Sequence, residues 1–258
     1  MNRIAGKIAL ITGASSGIGA AVARRCAADG ARLALWARRL DRLEHLAAEL
    51  RDAHGIEVGI TQVDVRDRAA VQRAAEALVQ GTGVPDVLVN SAGLAAGMSK
   101  LQDGDPDDWD RMIDTNVTGL LNVTRAVLPR MVARGTGHVV NIGSTAGHLV
   151  YPMGNVYAAT KFAVRALSEG MNLDVAGTKI RVSSVDPGFV ETEFSEVRFH
   201  GDRERARAVY RGFTPLSGDD VADAIAYVLN LPEHVNVADL VLVPTAQRNV
   251  YVVDRRET

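Results

Sequence analysis

Tyr157 and Lys161 stand four residues apart in the stretch Tyr157-Ala158-Ala159-Thr160-Lys161. On a helix that spacing puts both side chains on one face, one turn apart. An ammonium beside a phenol favours the phenolate and lowers its pKa from about 10. A phenol tuned this way can give a proton to a carbonyl oxygen, or take one from an alcohol, near neutral pH. The same spacing also occurs on solvated helix faces. The chemistry therefore depends on what the rest of the chain brings to this pair.

Positioning begins with a series of apolar runs that alternate with helical patterns. Strands are expected at 7–12, 32–37, 57–63, 85–90, 137–143, 179–185 and 240–243. Helices are expected at 20–29, 40–53, 68–80, 109–134 and 219–229, with another carrying the Tyr–Lys pair. This alternation predicts an α/β fold: a doubly wound, Rossmann-like parallel sheet of about seven strands with helices on both faces, in a single domain. Ligands of such sheets sit at the carboxyl ends of the strands.

Each distinctive motif falls at such a strand end. Thr12-Gly13-Ala14-Ser15-Ser16-Gly17-Ile18-Gly19 links the first strand to a helix. Its glycines permit a tight turn and close approach of backbone to a pyrophosphate, which the helix N-terminus attracts. The second strand ends at Ala37 and is followed by Arg38 and Arg39, with no carboxylate to receive a ribose 2′-hydroxyl. Two guanidinium groups suit a 2′-phosphate instead, which favours NADP over NAD. Ser15 could add a hydroxyl to the same phosphate. Asp64 and Val65 close the third strand, where Asp64 either accepts from an adenine amine or caps the next helix. Asn90-Ser91-Ala92-Gly93 leaves room at the fourth strand for ribose and nicotinamide. Ser144, after the fifth strand, can hold a substrate oxygen. Pro187-Gly188-Phe189-Val190-Glu191-Thr192 follows the sixth, with Gly188 open to a flat ring and Thr192 to the cofactor amide or pyrophosphate.

Asn116, with Gly119 close behind, is poor chemistry for a helix interior. It predicts a local irregularity in 109–134, with an orphan carbonyl that could hold a water near Lys161. Four aspartates in 103–108 read as a solvated turn and helix start, and no calcium-loop pattern is present there. Residues 193–213 carry Arg198, Arg203, Arg205, Arg207 and Arg211 and read as a charged helical lid. These arginines either favour an anionic substrate or face water. The tail 244–258 is expected to pack on a neighbour or fade into disorder.

Composition narrows the partners. Lys plus Arg is 29 against 31 Asp plus Glu, so no basic field exists for nucleic acid. The lone Cys26 lies in an Ala-rich helical pattern and reads as a small buried hydrophobe. No apolar run approaches the ~18 residues of a membrane helix, and the N-terminus lacks a signal-peptide core. A cytoplasmic protein with a small-molecule carbonyl or alcohol substrate is the expectation. Two long apolar helices suggest a homodimer or homotetramer.

Taken in order and spacing, the glycine motif, Asn90-Ser91-Ala92-Gly93, Asn116, Ser144, Tyr157-x-x-x-Lys161 and Pro187-Gly188 resemble the short-chain dehydrogenase/reductase family along nearly the whole chain. The resemblance implies a tetrad of Asn116, Ser144, Tyr157 and Lys161. Tyr157 would be the acid/base and Ser144 would position the substrate oxygen. Lys161 would bind the nicotinamide ribose and tune the phenol, and Asn116 would anchor a relay water. The implied NADP contacts are Gly13, Ser15, Ser16, Gly17, Ile18, Gly19, Arg38, Arg39, Asp64, Val65, Asn90, Ala92, Gly93, Tyr157, Lys161, Pro187, Gly188, Val190 and Thr192. Two positions depart from the family pattern: Ser91 stands where a second Asn is usual, and Gly143 where a second Ser is common. Ala34-Leu35-Trp36-Ala37-Arg38-Arg39-Leu40-Asp41-Arg42-Leu43 is similar to the NADP-preferring branch, and Val243-Pro244-Thr245-Ala246-Gln247 to the tail of 3-hydroxy acid (serine-type) dehydrogenases and related aldehyde reductases. A 3-oxoacyl- or ketone-type reductase is the alternative within the family. A non-catalytic NADP sensor would dispense with the tetrad, and a methyltransferase would want an acid after the second strand.

Overall fold

The computed structural model describes residues 2–255. Seven strands form one parallel sheet: β1 (Ile8–Thr12), β2 (Arg32–Ala37), β3 (Val58–Gln62), β4 (Val87–Asn90), β5 (Thr136–Ile142), β6 (Lys179–Pro187) and β7 (Asp239–Leu242). Their spatial order is β3-β2-β1-β4-β5-β6-β7, with every pairing parallel. β1 and β4 are buried throughout, as continuous apolar runs in a two-faced parallel sheet must be. The chain winds outward one way from β1, then returns to continue from β4. A crevice opens at that reversal, beyond the carboxyl ends of the strands.

Helices α1 (Gly17–Ala28) and α2 (Leu40–His54) cover one face and α3 (Arg68–Gly81) the other. Val22, Leu43 and Leu46 meet Ile11 and Leu35 in the first core. Val71 joins Leu10, Leu88 and Val139 in the second. Cys26 is buried in the first core, where burial pushes its thiol up to about 12, so it is an inert hydrophobe.

The predicted long helix at 109–134 is interrupted. α4 (Pro106–Ile113) runs into a wide π-type turn, Asp114–Gly119, and then α5 (Leu120–Arg134). The irregularity centres on Asn116, whose amide is buried at 2% exposure and fully engaged. Gly119 lets α5 start against the loop after β3, since a Cβ there would lie 2.6 Å from the Val65 side chain. α6 (Asn155–Asp174) carries the Tyr–Lys pair.

Three expectations need correcting. The helix at 195–213 is two short ones, α7 (Phe194–Arg198) and α8 (Arg203–Ala208), with a break where His200 and Gly201 take positive φ. The cap of α3 is Asp67, which accepts from the Ala70 N–H at 2.9 Å, so Asp64 is not the cap. Among the acidic residues, Asp105 caps α4, but Asp108 is buried and pairs with His200 at 3.0 Å and Arg111 at 3.3 Å. It is not a solvated turn residue.

The tail packs on its own chain. Arg255 donates to the carbonyls of Arg211 and Val209 and stacks on Phe213. Residues 256–258 of that predicted segment lie outside the described residues. α9 (Gly218–Leu229) begins with a capping box, Ser217 and Asp220 satisfying one another's N–H groups. Among the described residues, no helix is long and apolar enough to cross a membrane.

Candidate active site

A cleft of about 790 Å³ opens at the strand ends. Its floor is set by hydrogen bonds between the loops. The Thr12 hydroxyl accepts from the N–H groups of Ser91 and Ala92, each at 3.1 Å. Gly13 fits against Ala92 because it lacks a Cβ, which would lie 2.9 Å from that backbone. Gly19 is held as tightly, its would-be Cβ 2.5 Å from the Gly13 carbonyl. These two glycines bring the β1 turn and the β4 end together.

The cleft fits a dinucleotide at its phosphate end. α1 starts at the cleft with no side-chain cap and no acid in its first turn. Its first N–H groups are therefore available to an anion. The Ser16 hydroxyl, which would ordinarily cap it, accepts instead from Arg39 at 2.6 Å, and Ser15 accepts from Arg39 at 3.2 Å. Arg39 also pairs with Glu193 at 2.9 Å. Arg38 is exposed beside the same wall, and among the described residues its side chain makes no hydrogen bond or ion pair. Asp64 is held by Arg66 at 2.7 Å, which keeps its carboxyl below the usual range.

Gly17, Ile18, Val65, Gly93, Pro187, Gly188, Val190 and Thr192 also line the cleft. Gly188 abuts the tail: a Cβ there would meet Gln247 Oε1 at 2.1 Å, and that oxygen accepts from the Phe189 N–H at 3.0 Å. The Thr192 hydroxyl accepts from the Phe194 N–H at 3.2 Å. Asn90 is the exception among the expected contacts. Its side chain turns away from the cleft, donating to Thr124 at 3.1 Å and Asn141 at 2.9 Å. Its part is to tie β4 to β5 and α5.

Tyr157, Lys161 and Ser144 converge on the cleft. The Ser144 oxygen accepts from the Ala146 N–H at 3.1 Å, and its hydroxyl is hydrogen-bonded to the Tyr157 phenol. Lys161 donates to the Ile142 carbonyl at 2.8 Å. Asn116 lies behind the wall. It bonds both ways to the Leu94 backbone, at 2.8 and 2.9 Å, and donates to Thr160 at 3.0 Å. Thr160 in turn donates to the Tyr157 carbonyl at 2.7 Å. Asn116 thus joins the π-type turn, the segment after β4 and the helix that carries Tyr157 and Lys161.

The electrostatics differ from the expectation of a phenol lowered by its lysine. Burial raises the Tyr157 hydroxyl above its ordinary value, against smaller opposing pulls from Arg198 and Ser144. Burial also lowers Lys161 to about 8, with Asp186 opposing it. The ammonium stands 5.9 Å from the Tyr157 ring centre, and its hydrogen bond goes to Ile142. The desolvation of both groups therefore outweighs their mutual attraction.

Arg198 enters the site too, which the sequence reading left among the undifferentiated arginines of 193–213. Its guanidinium lies 5.0 Å from the Tyr157 ring centre and 5.5 Å from that of Phe194, and it donates to the Tyr151 hydroxyl. Its Nε is shut off from water with no partner. The signal was weak because five arginines share that stretch and only the break at Phe199–Asp202 separates this one from the rest.

Comparison with known proteins agrees with this geometry. A family model described as short chain dehydrogenase matches residues 7–202. The NADP-dependent 3-hydroxy acid dehydrogenase YdfG of Salmonella typhi is 45% identical over 241 residues, 93% of this chain and 96% of that protein. Sulfoacetaldehyde reductase 2 of Chromohalobacter salexigens is 46% identical over 250 residues, 96% and 98% of the two chains. A solved serine dehydrogenase, in its closed form with NADP+, superimposes with a TM-score of 0.90 at 43% identity, covering 97% of this chain and all of that one. The chain belongs to the short-chain dehydrogenase family.

Proposed function

We propose that the protein is an NADP-dependent oxidoreductase that interconverts a small hydroxy acid, or a comparable anionic alcohol, with its carbonyl form. The observation that carries the reading is the convergence of Tyr157, Ser144 and Lys161 beside a phosphate-ready wall of Arg38, Arg39 and the uncapped start of α1. Relatives named for NADP, 3-hydroxy acids and sulfoacetaldehyde support it.

When bound, NADPH supplies a hydride to the carbonyl carbon. Ser144, hydrogen-bonded to the Tyr157 phenol, would turn its O–H to the carbonyl oxygen and fix it near that phenol. Tyr157 gives that oxygen its proton, a role suited to a phenol that burial keeps protonated. Lys161 in its ammonium form stabilises the phenolate that remains, and recharging follows from solvent. The backbone around Gly13, Gly17 and Gly19 and the two arginines hold the phosphates. Asn116 keeps the helix of Tyr157 and the loop after β4 in register. NADPH consumption with a panel of small aldehydes and ketones tests the reading; no turnover of any carbonyl, with NADPH binding intact, would refute it.

The sign of the pH dependence follows from Lys161. Its folded pKa is depressed to about 8, so the ammonium is present below that pH and lost above it. Tyr157 stays protonated over the same range. Reductive kcat/KM is therefore expected to fall as pH rises through about 8, measured with saturating NADPH and subsaturating carbonyl substrate. A flat profile from pH 7 to 9 would show that Lys161 does not act as a charge.

The anionic class rests on Arg198. A carboxylate or sulfonate in the cleft would gain a charge-assisted bond to the Arg198 guanidinium that lines it, worth about 1.5–3 kcal/mol. Arg198→Met is expected to raise KM for an anionic carbonyl about 10- to 100-fold while leaving a neutral isostere within a few-fold. Equal losses for both substrates would remove the anion assignment. A homodimer or homotetramer is supported by apolar side chains on the outer faces of α5 and α6, among them Leu121, Val132, Phe162 and Leu173. Cytoplasmic location remains the sequence-based expectation.

A further inference from the structure

An acid from the lid side of the cleft is seated on the cofactor wall. The loop that leaves β6 comes into contact with the glycine turn, where a Cβ on Gly17 would lie 3.4 Å from the Thr192 side chain. Glu193 follows and immediately precedes α7. Its side chain reaches to two arginines at the start of α2. One carboxylate oxygen pairs with Arg39 at 2.9 Å and the other with Arg42. These contacts join positions 154 and 151 residues apart in the chain. Arg42 and Arg39 together hold the Glu193 carboxyl below the usual carboxylate range.

Arg39 is thereby engaged on three sides. Its Nε donates to Ser15 at 3.2 Å, one terminal nitrogen to Ser16 at 2.6 Å and the other to Glu193. The two serines are neutral acceptors, and the carboxylate is the one anion of the three. Arginine grips a phosphate with the same planar fork that it offers a carboxylate. A 2′-phosphate on Arg39 would therefore bring a second anion to one guanidinium, and the two anions repel. Arg39 and Glu193 are 40% and 42% exposed, where an ion pair is weak enough to exchange. Arg42 gives the displaced carboxylate a partner to fall back on.

We propose that Glu193 is a specificity-determining residue for the cofactor: its carboxylate is an internal stand-in for the 2′-phosphate on Arg39, and an incoming NADP displaces it toward Arg42. Glu193 thus tempers the affinity that the arginine wall would otherwise have for the 2′-phosphate. The sign is the informative part. Loss of a residue that helps to build the wall weakens the phosphate's hold, whereas loss of a competing acid strengthens it. The effect is confined to nucleotides that carry the 2′-phosphate, because Glu193 competes for that seat. The inference rests on the reading of Arg38 and Arg39 as the phosphate wall.

Glu193→Gln keeps the size of the side chain and removes its charge at a half-exposed position, so the fold is not at stake. Calorimetric titration with adenosine 2′,5′-bisphosphate and with adenosine 5′-monophosphate isolates the 2′-phosphate, without turnover. In Glu193→Gln the dissociation constant for the bisphosphate is expected to fall roughly three- to tenfold, the scale of one or two exposed ion pairs, and that for the monophosphate to stay within about twofold. Asp41→Asn is the control for charge alone. Asp41 lies in the first turn of α2 and makes no hydrogen bond or ion pair among the described residues, so its loss should leave the ratio of the two constants near that of the unmodified protein. An unmoved ratio in Glu193→Gln overturns the proposal. Weaker binding of the bisphosphate, an equal gain for both nucleotides, or an equal shift in Asp41→Asn overturns it too. Should neither the unmodified protein nor Glu193→Gln prefer the bisphosphate, the phosphate wall falls and this inference with it; a preference that Glu193→Gln leaves in place fails the inference alone. A shifted ratio in a protein that reduces no carbonyl would sink the proposed activity and leave this inference standing.

Discussion

With Tyr157 changed to Phe, reduction of a carbonyl by NADPH is expected to fall about 10³-fold in kcat, the scale on which a positioned proton donor contributes. That is about 4 kcal/mol of transition-state stabilisation. The ring itself stays useful in the variant. It packs edge-on against Phe194 at 5.6 Å and sits beneath Arg198 at 5.0 Å, and a phenyl ring can keep both contacts. Thermal stability and the dissociation constant for NADPH should therefore stay close to those of the unmodified protein. Thermal melts and a fluorescence titration check those two points; steady-state kinetics check the third. A variant retaining a tenth or more of kcat would mean that another group delivers the proton.

Arg38→Asp is expected to lower the kcat/KM ratio for NADPH over NADH by about 10²-fold or more. Losing a guanidinium–phosphate bond costs about 1.5–3 kcal/mol, and the new carboxylate adds like-charge repulsion. Arg38 is the sharper probe of the two arginines because, among the described residues, its side chain has no hydrogen bond or ion pair to lose. Arg39 already bridges Ser15, Ser16 and Glu193, so its removal would also loosen the glycine loop. Initial rates with both cofactors measure the ratio. An unchanged ratio would show that the 2′-phosphate is read elsewhere.

The sheet was legible because its central strands, such as Ile8–Thr12 and Val87–Asn90, are short, mainly apolar runs that alternate with helical patterns, as buried parallel strands are. The strand-end motifs were legible for a related reason: backbone must approach a ligand there, and that demand fixes residue types locally. Asn116 was readable as a disturbance in its helix, since a buried carboxamide needs partners that a helix interior does not offer. Its actual partners, Leu94 and Thr160, depend on tertiary packing. The state of Tyr157 could not be read from spacing. Spacing gives proximity to Lys161 but not the loss of water around both, and that loss has the larger effect. Arg198, Glu193 and the inward-turned Asn90 were illegible because each owes its role to partners far away in the chain. Asp108 and His200, separated by 92 residues, show the same limit.

The π-type turn at Asp114–Gly119 holds one more residue per turn than the helices on either side of it. Each residue of a regular helix advances the face by about 100°. The widened turn thus resets which side of the chain looks at the sheet, so α4 offers Met112 to the wall near Phe194 while α5 offers Val123 and Val127 to the strands. Composition along this stretch can drift as long as the asparagine and glycine remain, but its length cannot. A homologue one residue shorter here would have a straighter rod and a misaligned cleft wall, which makes this segment a ruler as well as a support.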